Sequence, residues 1–280
     1  MAEEISEKIL KLEASGAKIR KNSQGAVIAV DARNTDITGE YLPEMPFLRD
    51  LKLTGPQVTD ITMQKLFAFS SLTSLSLDKT GITDKTLISQ ISRLPKLQQL
   101  FLSGVKITDS GVKVLAKNKN FIRIRLAGTQ ITDASLEILS EMSALRSLDL
   151  SNTKISVDGL SKLVTLSVLE DINIYNAKYV GGEVTEIFAE MDGLQKINMD
   201  NIPVTDADVE KLLPLAENLI FLHLGGTRIT DKVVNTLEKF KKLKTLYVNR
   251  TEVTDVGVAQ LRKSLPECNI ITCGGEERQP

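Results

Sequence analysis

The chain spells Ile-Thr-Asp or Val-Thr-Asp seven times, ending at Asp60, Asp84, Asp109, Asp133, Asp206, Asp231 and Asp255. Successive spacings are 24, 25, 24, 73, 25 and 24 residues, and the 73 is three periods in which two copies are degraded. A fixed period of this size is the mark of a solenoid, whose units bury their apolar faces only against one another. Most of the sequence is therefore spent on stacking. Function is to be sought in what the units hold out to solvent.

Each period opens with Leu-x-x-Leu-x-Leu, as in Leu72, Leu75 and Leu77, or Leu145, Leu148 and Leu150; Leu194, Ile197 and Met199 are a variant. The alternation that ends this segment predicts a short strand with one face buried. The second half reads differently. From Thr132 to Leu139 the apolar residues recur at helical spacing and run on to Met142. The threonine suits a helix N-cap, and the aspartate suits the positive end of the helix dipole. A ladder of calcium-binding aspartates is the functional rival. Packed helices lie roughly 10 Å apart, whereas calcium–oxygen bonds are about 2.3–2.6 Å. One ion cannot bridge neighbouring copies.

Leu-x-x-Leu-x-Leu followed by a helix resembles the leucine-rich repeat family, over residues 27–274 in units of 24–25 residues. The Thr-x-Ile-Thr-Asp ending is similar to a bacterial type related to the cysteine-containing class of F-box adaptors. In that class a cysteine often holds the place of Thr80, Thr129, Thr153, Thr227 and Thr251. The resemblance implies an α/β solenoid in a right-handed arc, with a parallel sheet on the concave face and helices on the convex face. Ubiquitin-ligase work is not carried over, because a cap fills the start of the chain. Ile5, Ile9 and Leu12 make one face of a helix that Gly16 ends, and a hairpin turns at Asn22–Gly25. Residues 1–26 are thus read as a cap and 275–280 as a polar tail.

Composition removes several function classes. Net charge is −1, which gives no long-range field for nucleic acid or anionic lipid. No apolar run is long enough to span a bilayer. The acidic start lacks the basic segment of a secretory leader, so a cytoplasmic monomer is expected; a secreted protein whose leader had been removed would look the same. Cys268 and Cys273 read as small buried residues in the last coil, and no His/Cys cluster points to a metal or cofactor. The one histidine, His223, has no nucleophile motif beside it.

The residues flanking the second and third leucines should form columns on the sheet. One column runs through Phe101, Arg125, Asp149, Asn173, Asn198, His223 and Tyr247. A second runs through Arg123, Asp171, Lys196 and Phe221, and a third through Tyr175, Asp200, Gly225 and Asn249. Tyr175, Phe221, His223 and Tyr247 gather toward the C-terminus, interleaved with Asp171, Lys196, Asn173 and Asn198. Aromatics ringed by polar groups are the usual make-up of a protein-interaction site, so these eight residues are the candidate site for a protein or peptide partner. His223 is read as an exposed contact residue. Glycan binding by the same aromatics is the alternative, and a hydrolase using Asp171 and Asp200 ranks last. Phe101, Arg123, Arg125 and Asp149 form a second candidate patch. The degraded copy at 169–193, with Tyr179-Val180-Gly181-Gly182 in place of Ile-Thr-Asp, borders the aromatics, and Tyr179 would extend them.

Overall fold

The computed structural model describes residues 2–272, with side chains from residue 7 onward. Cys273, the polar tail at 275–280 and the side chain of Ile5 lie outside the described residues. The chain divides after Leu145 into two compact units.

The first unit begins with helix α1 (Ala2–Ala14), which buries Leu12 and ends at Gly16 with φ +90°. Strands β1 (Lys18–Lys21) and β2 (Val27–Asp31) then pair antiparallel. Asn22 holds their turn, its Oδ1 accepting from the N–H groups of Gln24 and Ala26 at 3.0 and 2.9 Å. From β2 onward every neighbour is parallel: β3 (Asp50–Lys52), β5 (Ser74–Ser76), β7 (Gln99–Phe101) and β8 (Arg123–Arg125) follow in sequence order. Two shorter strands, β4 (Gly55–Thr59) and β6 (Thr80–Gly81), pair separately. Helices α2 (Asp84–Ser89), α3 (Asp109–Lys113) and α4 (Asp133–Leu139) return the chain from one strand to the next.

The second unit repeats the scheme with β9 (Ser147–Asp149), β10 (Asp171–Asn173), β11 (Lys196–Asn198), β12 (Phe221–His223), β13 (Thr245–Tyr247) and β14 (Asn269–Ile271), all parallel in register. Its helices are α5 (Val157–Ser161), α6 (Val184–Ala189), α7 (Asp206–Lys211), α8 (Val234–Leu237) and α9 (Asp255–Ser264). This is an α/β leucine-rich-repeat solenoid, as the periodicity predicts. The helices are shorter than one full element per period, and several pass into 3-10 turns, as α3 does over Val114–Lys117. A coil of 24 residues must also build a strand and two corners, and 3-10 geometry covers more distance per residue.

The leucine positions form an aliphatic core, with Leu75, Leu100, Leu222 and Leu246 fully buried. The coil threonines satisfy themselves locally: Oγ1 of Thr80, Thr129, Thr153, Thr227 and Thr251 each donates to the carbonyl three residues back, at 2.6–2.7 Å. A buried hydroxyl so bonded costs little. Cys268 departs from expectation. It is half-buried rather than buried, because it lies just before the last strand, where no further coil covers it among the described residues.

The aspartates do more than sequence reading assigned to them. Asp60, Asp84, Asp109, Asp206 and Asp231 each reach forward to the threonine of the next coil. Asp84 accepts from Thr108 N and Oγ1 at 2.9 and 2.7 Å, and Asp206 and Asp231 hold Thr230 and Thr254 in the same way. Asp109 takes Thr132 N, Thr132 Oγ1 and Ser135 Oγ at 2.9, 2.7 and 2.5 Å, and Asp60 takes Thr83 and Thr86. The threonines meanwhile cap their own helices, accepting from the N–H two residues on at 3.2–3.4 Å. Coils too far apart for a shared ion are close enough for a carboxylate stapled to a hydroxyl and an amide.

The degraded copies are compensated. Gly182 stands where an aspartate would hold Thr205, and the carboxylate comes instead from Asp208 of the same helix, at 2.9 Å from Thr205 N and 2.7 Å from Oγ1. A Cβ on Gly182 would overlap Asp208 Oδ2. Gly182 thus leaves the space that lets the swapped carboxylate in.

Burial pushes the carboxyls of Asp60 and Asp109 up, but the hydrogen bonds from threonine and serine outweigh it and hold both below the usual range. Their stabilisation is therefore complete above about pH 3.9, the unfolded value, and is lost as pH falls through the lower folded one. Asp109→Ala should cost about 2–3 kcal/mol in urea unfolding at neutral pH, by orphaning Thr132 N and Ser135 Oγ. The loss should shrink toward pH 2–3; an equal loss at both pH values would refute the staple. Gly111→Ala gives a sharper sign test. Alanine favours a helix by about 1 kcal/mol over glycine, yet its Cβ would overlap Asp84 Oδ1. The variant should melt lower than wild type, not higher.

Candidate interaction surface

Strands β9, β10 and β13 carry the pattern half-exposed, buried, half-exposed, so their two outer residues face away from the core. Register then sets the columns. Asp149, Asn173, Asn198, His223 and Tyr247 are successive neighbours, as are Asp171, Lys196, Phe221 and Thr245. Both columns fall where sequence reading placed them. The third does not stay on the surface: Asp200 and Asn249 are 2% and 6% exposed. The chain turns inward just after the strand, and these side chains close beneath the turn.

Three aromatic rings meet on this face. Tyr247 stacks on His223 with centroids 4.1 Å apart and planes within 9°, and Phe221 tilts against Tyr247 at 5.7 Å. Such contacts favour a fixed aromatic platform. Tyr175 is half-buried two strands away, and Tyr179 is exposed beside Ser156. Neither ring contacts the other aromatics among the described residues.

His223 requires a correction: it is 3% exposed, not a surface contact. Its Nδ1 accepts from Gly225 N at 3.1 Å, which places the proton on Nε2. Gly225 is required here, because a Cβ would lie 2.7 Å from His223 Cε1 and 2.6 Å from Asn249 Oδ1. Burial, and then the charge of Arg250, lower its pKa to about 4. The ring is neutral at physiological pH, so the 3.9 Å between Nε2 and Asp200 Oδ2 is not an ion pair.

The bond from Gly225 belongs to a series. Asp149, Asn173 and Asn198 each accept, through Oδ1, the N–H two residues on, that of Ser151, Tyr175 and Asp200, at 2.9–3.0 Å. The polar side chains nominated as contacts thus spend one acceptor on holding the strand exit. Lys196 is exposed and makes no ion pair among the described residues. Asp171 accepts from Ser147 Oγ at 3.2 Å.

Arg250 was missed in the sequence. It sits at φ 56°, and its Nη2 reaches back two coils to Oδ1 of the buried Asp200 at 2.6 Å. Gly226 lies between them, and a Cβ there would sit 3.4 Å from that same oxygen. An arginine two coils after an aspartate, across a glycine, is a signal visible only once the coils are aligned. With its carboxylate engaged by Arg250, Asp200 is ill placed for the acid–base pair with Asp171. The second patch stands partly in the first unit, where Arg125 lies 5.3 Å over the Phe101 ring and Arg123 is exposed. Asp149 opens the second unit's sheet and also accepts from Ser151 Oγ. Among the described residues no three His, Cys, Asp or Glu side chains converge as a metal set, and no helix is long and apolar enough to cross a membrane.

Removing Arg250 takes one charged partner from a buried carboxylate. The Arg250 side chain is 56% exposed, so solvent screens the pair, and Arg250→Ala should destabilise the chain by about 1–2 kcal/mol. His223 is the single histidine, so its proton resonances report without ambiguity. Its midpoint should lie near 4 in the wild type and rise in Arg250→Ala, as a nearby positive charge is lost. Between the unfolded value of about 6.5 and the folded one, the unfolded chain binds the extra proton, so His223 lowers stability as pH falls across that window. A wild-type midpoint near 6.5 would refute its burial.

The family described as Leucine Rich repeat matches residues 142–164. No curated protein matches the sequence. Among solved structures, an internalin (inlF) from Listeria monocytogenes str. 4b F2365 is similar with TM-score 0.56 and 18% identity, over 98% of this chain and 95% of that one. An internalin C2 from the same strain aligns at TM-score 0.48 and 22% identity, over 65% of this chain and 75% of its own. At such identity the first likeness is one of fold.

Proposed function

From the premise that this chain has the leucine-rich-repeat fold, we propose that it is a non-catalytic scaffold that binds a protein or peptide partner. The docking surface is the sheet face of the second unit. Leucine-rich-repeat folds generally serve protein–protein interaction. The observation that carries the reading is the platform of Phe221, His223 and Tyr247, half-exposed at its outer rings and rigid at its base. Phe221, Tyr247 and Tyr175 are the anchors. His223 positions Tyr247 from below. Lys196 and Asp171 set register, and the free amide edges of Asn173 and Asn198 face the partner. The chain is of the Thr-x-Ile-Thr-Asp type, related to the F-box adaptor class, and works in the cytoplasm.

Rigid aromatics in a polar rim contribute most of the energy at protein interfaces. The double variant Phe221→Ala/Tyr247→Ala should lose its partner in capture from native lysate read by mass spectrometry, with an unchanged circular dichroism melt. Capture of the same partner by wild type and variant would sink the assignment. The same rings could stack on sugars, and a glycan array separates the two classes: binding there, lost in the variant, favours the glycan reading.

A further inference from the structure

Among the described residues, the last coil presents an open, self-complementary face. Asn269 N donates to Lys244 O, and Ile271 O accepts from Val248 N, so both residues pair back to β13. Successive residues of a strand aim their backbone groups to opposite sides. The N–H and C=O of Ile270 therefore point outward, where no strand lies among the described residues. Such an edge is a template for pairing. The edge strand β1 carries Lys18, Arg20 and Lys21, charges of the kind that block it. β14 reads Asn-Ile-Ile and has no such guard.

Helix α9 borders the same face. Asp255 ends the seventh signature, and among the described residues it has no next threonine to hold and no partner for its carboxylate. The helix starts on this acid and closes on Arg262 and Lys263, with Ala259 midway. Neither base makes an ion pair among the described residues, and Val256 is 75% exposed.

We propose that this face is a homodimer interface, closed by a second copy of the chain about a two-fold axis through Ala259 and Ile270. One rotation satisfies both elements. It lays α9 antiparallel to its copy, so that Asp255 meets Lys263 of the second copy, and small Ala259 crosses its equivalent on the axis. It also lays β14 antiparallel to its copy, where Ile270 and its equivalent exchange both N–H···O bonds. Such an isologous contact closes on itself. Sequence reading expects a monomer; the end face argues for a dimer.

Sedimentation equilibrium of the full chain tests this. The wild type should be a dimer at micromolar concentration. Asp255→Lys and Lys263→Glu should each weaken it by at least about tenfold, because each sets like charges together twice per dimer. The double variant Asp255→Lys/Lys263→Glu restores opposite charges and should recover the wild-type constant. Circular dichroism melts confirm that each variant folds. The Ile270 amide should exchange with deuterium more slowly as protein concentration rises. A wild type that stays monomeric at high micromolar concentration, or a double variant as weak as the singles, would overturn the proposal.

Discussion

The fold depends on a carboxylate that reaches from one coil to the next. Leucine burial drives the stack but is non-directional and does not by itself set the offset between coils. The aspartate does, because it needs a particular amide and a particular hydroxyl within hydrogen-bond reach. Asp84 on Thr108 and Asp231 on Thr254 repeat one geometry almost to the tenth of an ångström. Where the aspartate is lost, at Gly182, the geometry at Thr205 is kept with a carboxylate from another position. What is maintained is the charge at the helix start, not the residue that supplies it.

The sheet face is under a second local constraint. The residue that ends each of β9, β10, β11 and β12 accepts the amide two positions on, whether it is Asp149, Asn173, Asn198 or His223. Three unlike side chains perform one backbone task, because each presents an acceptor at similar reach. Column residues are therefore partly structural. The positions with latitude for recognition are those that the backbone does not use, chiefly Lys196, Phe221 and Tyr247.

The repeat length, the strand and helix halves and the register of two columns were legible in the sequence. Alternation and fixed period are properties of every coil, and errors average out over many copies. The candidate site was legible as a neighbourhood. Phe221 and Tyr247 meet as the columns predict, whereas His223 was placed on the wrong side of the surface. A histidine on a strand reads as exposed by alternation, and nothing local announces that Gly225 and Asn249 make room to bury it.

By itself the sequence determined the solenoid, because a 24–25-residue period of leucines admits no other way to bury them. It also determined which residues share a column, since register follows from period. Only the tertiary structure decided which charges meet. Asp200 and Arg250 are 50 residues apart, and their contact spans the coil between. The role of the repeated aspartate was decided there too. A carboxylate at a helix start suits its own helix dipole equally well, and only the stacked neighbour shows that it is spent on the next coil's threonine.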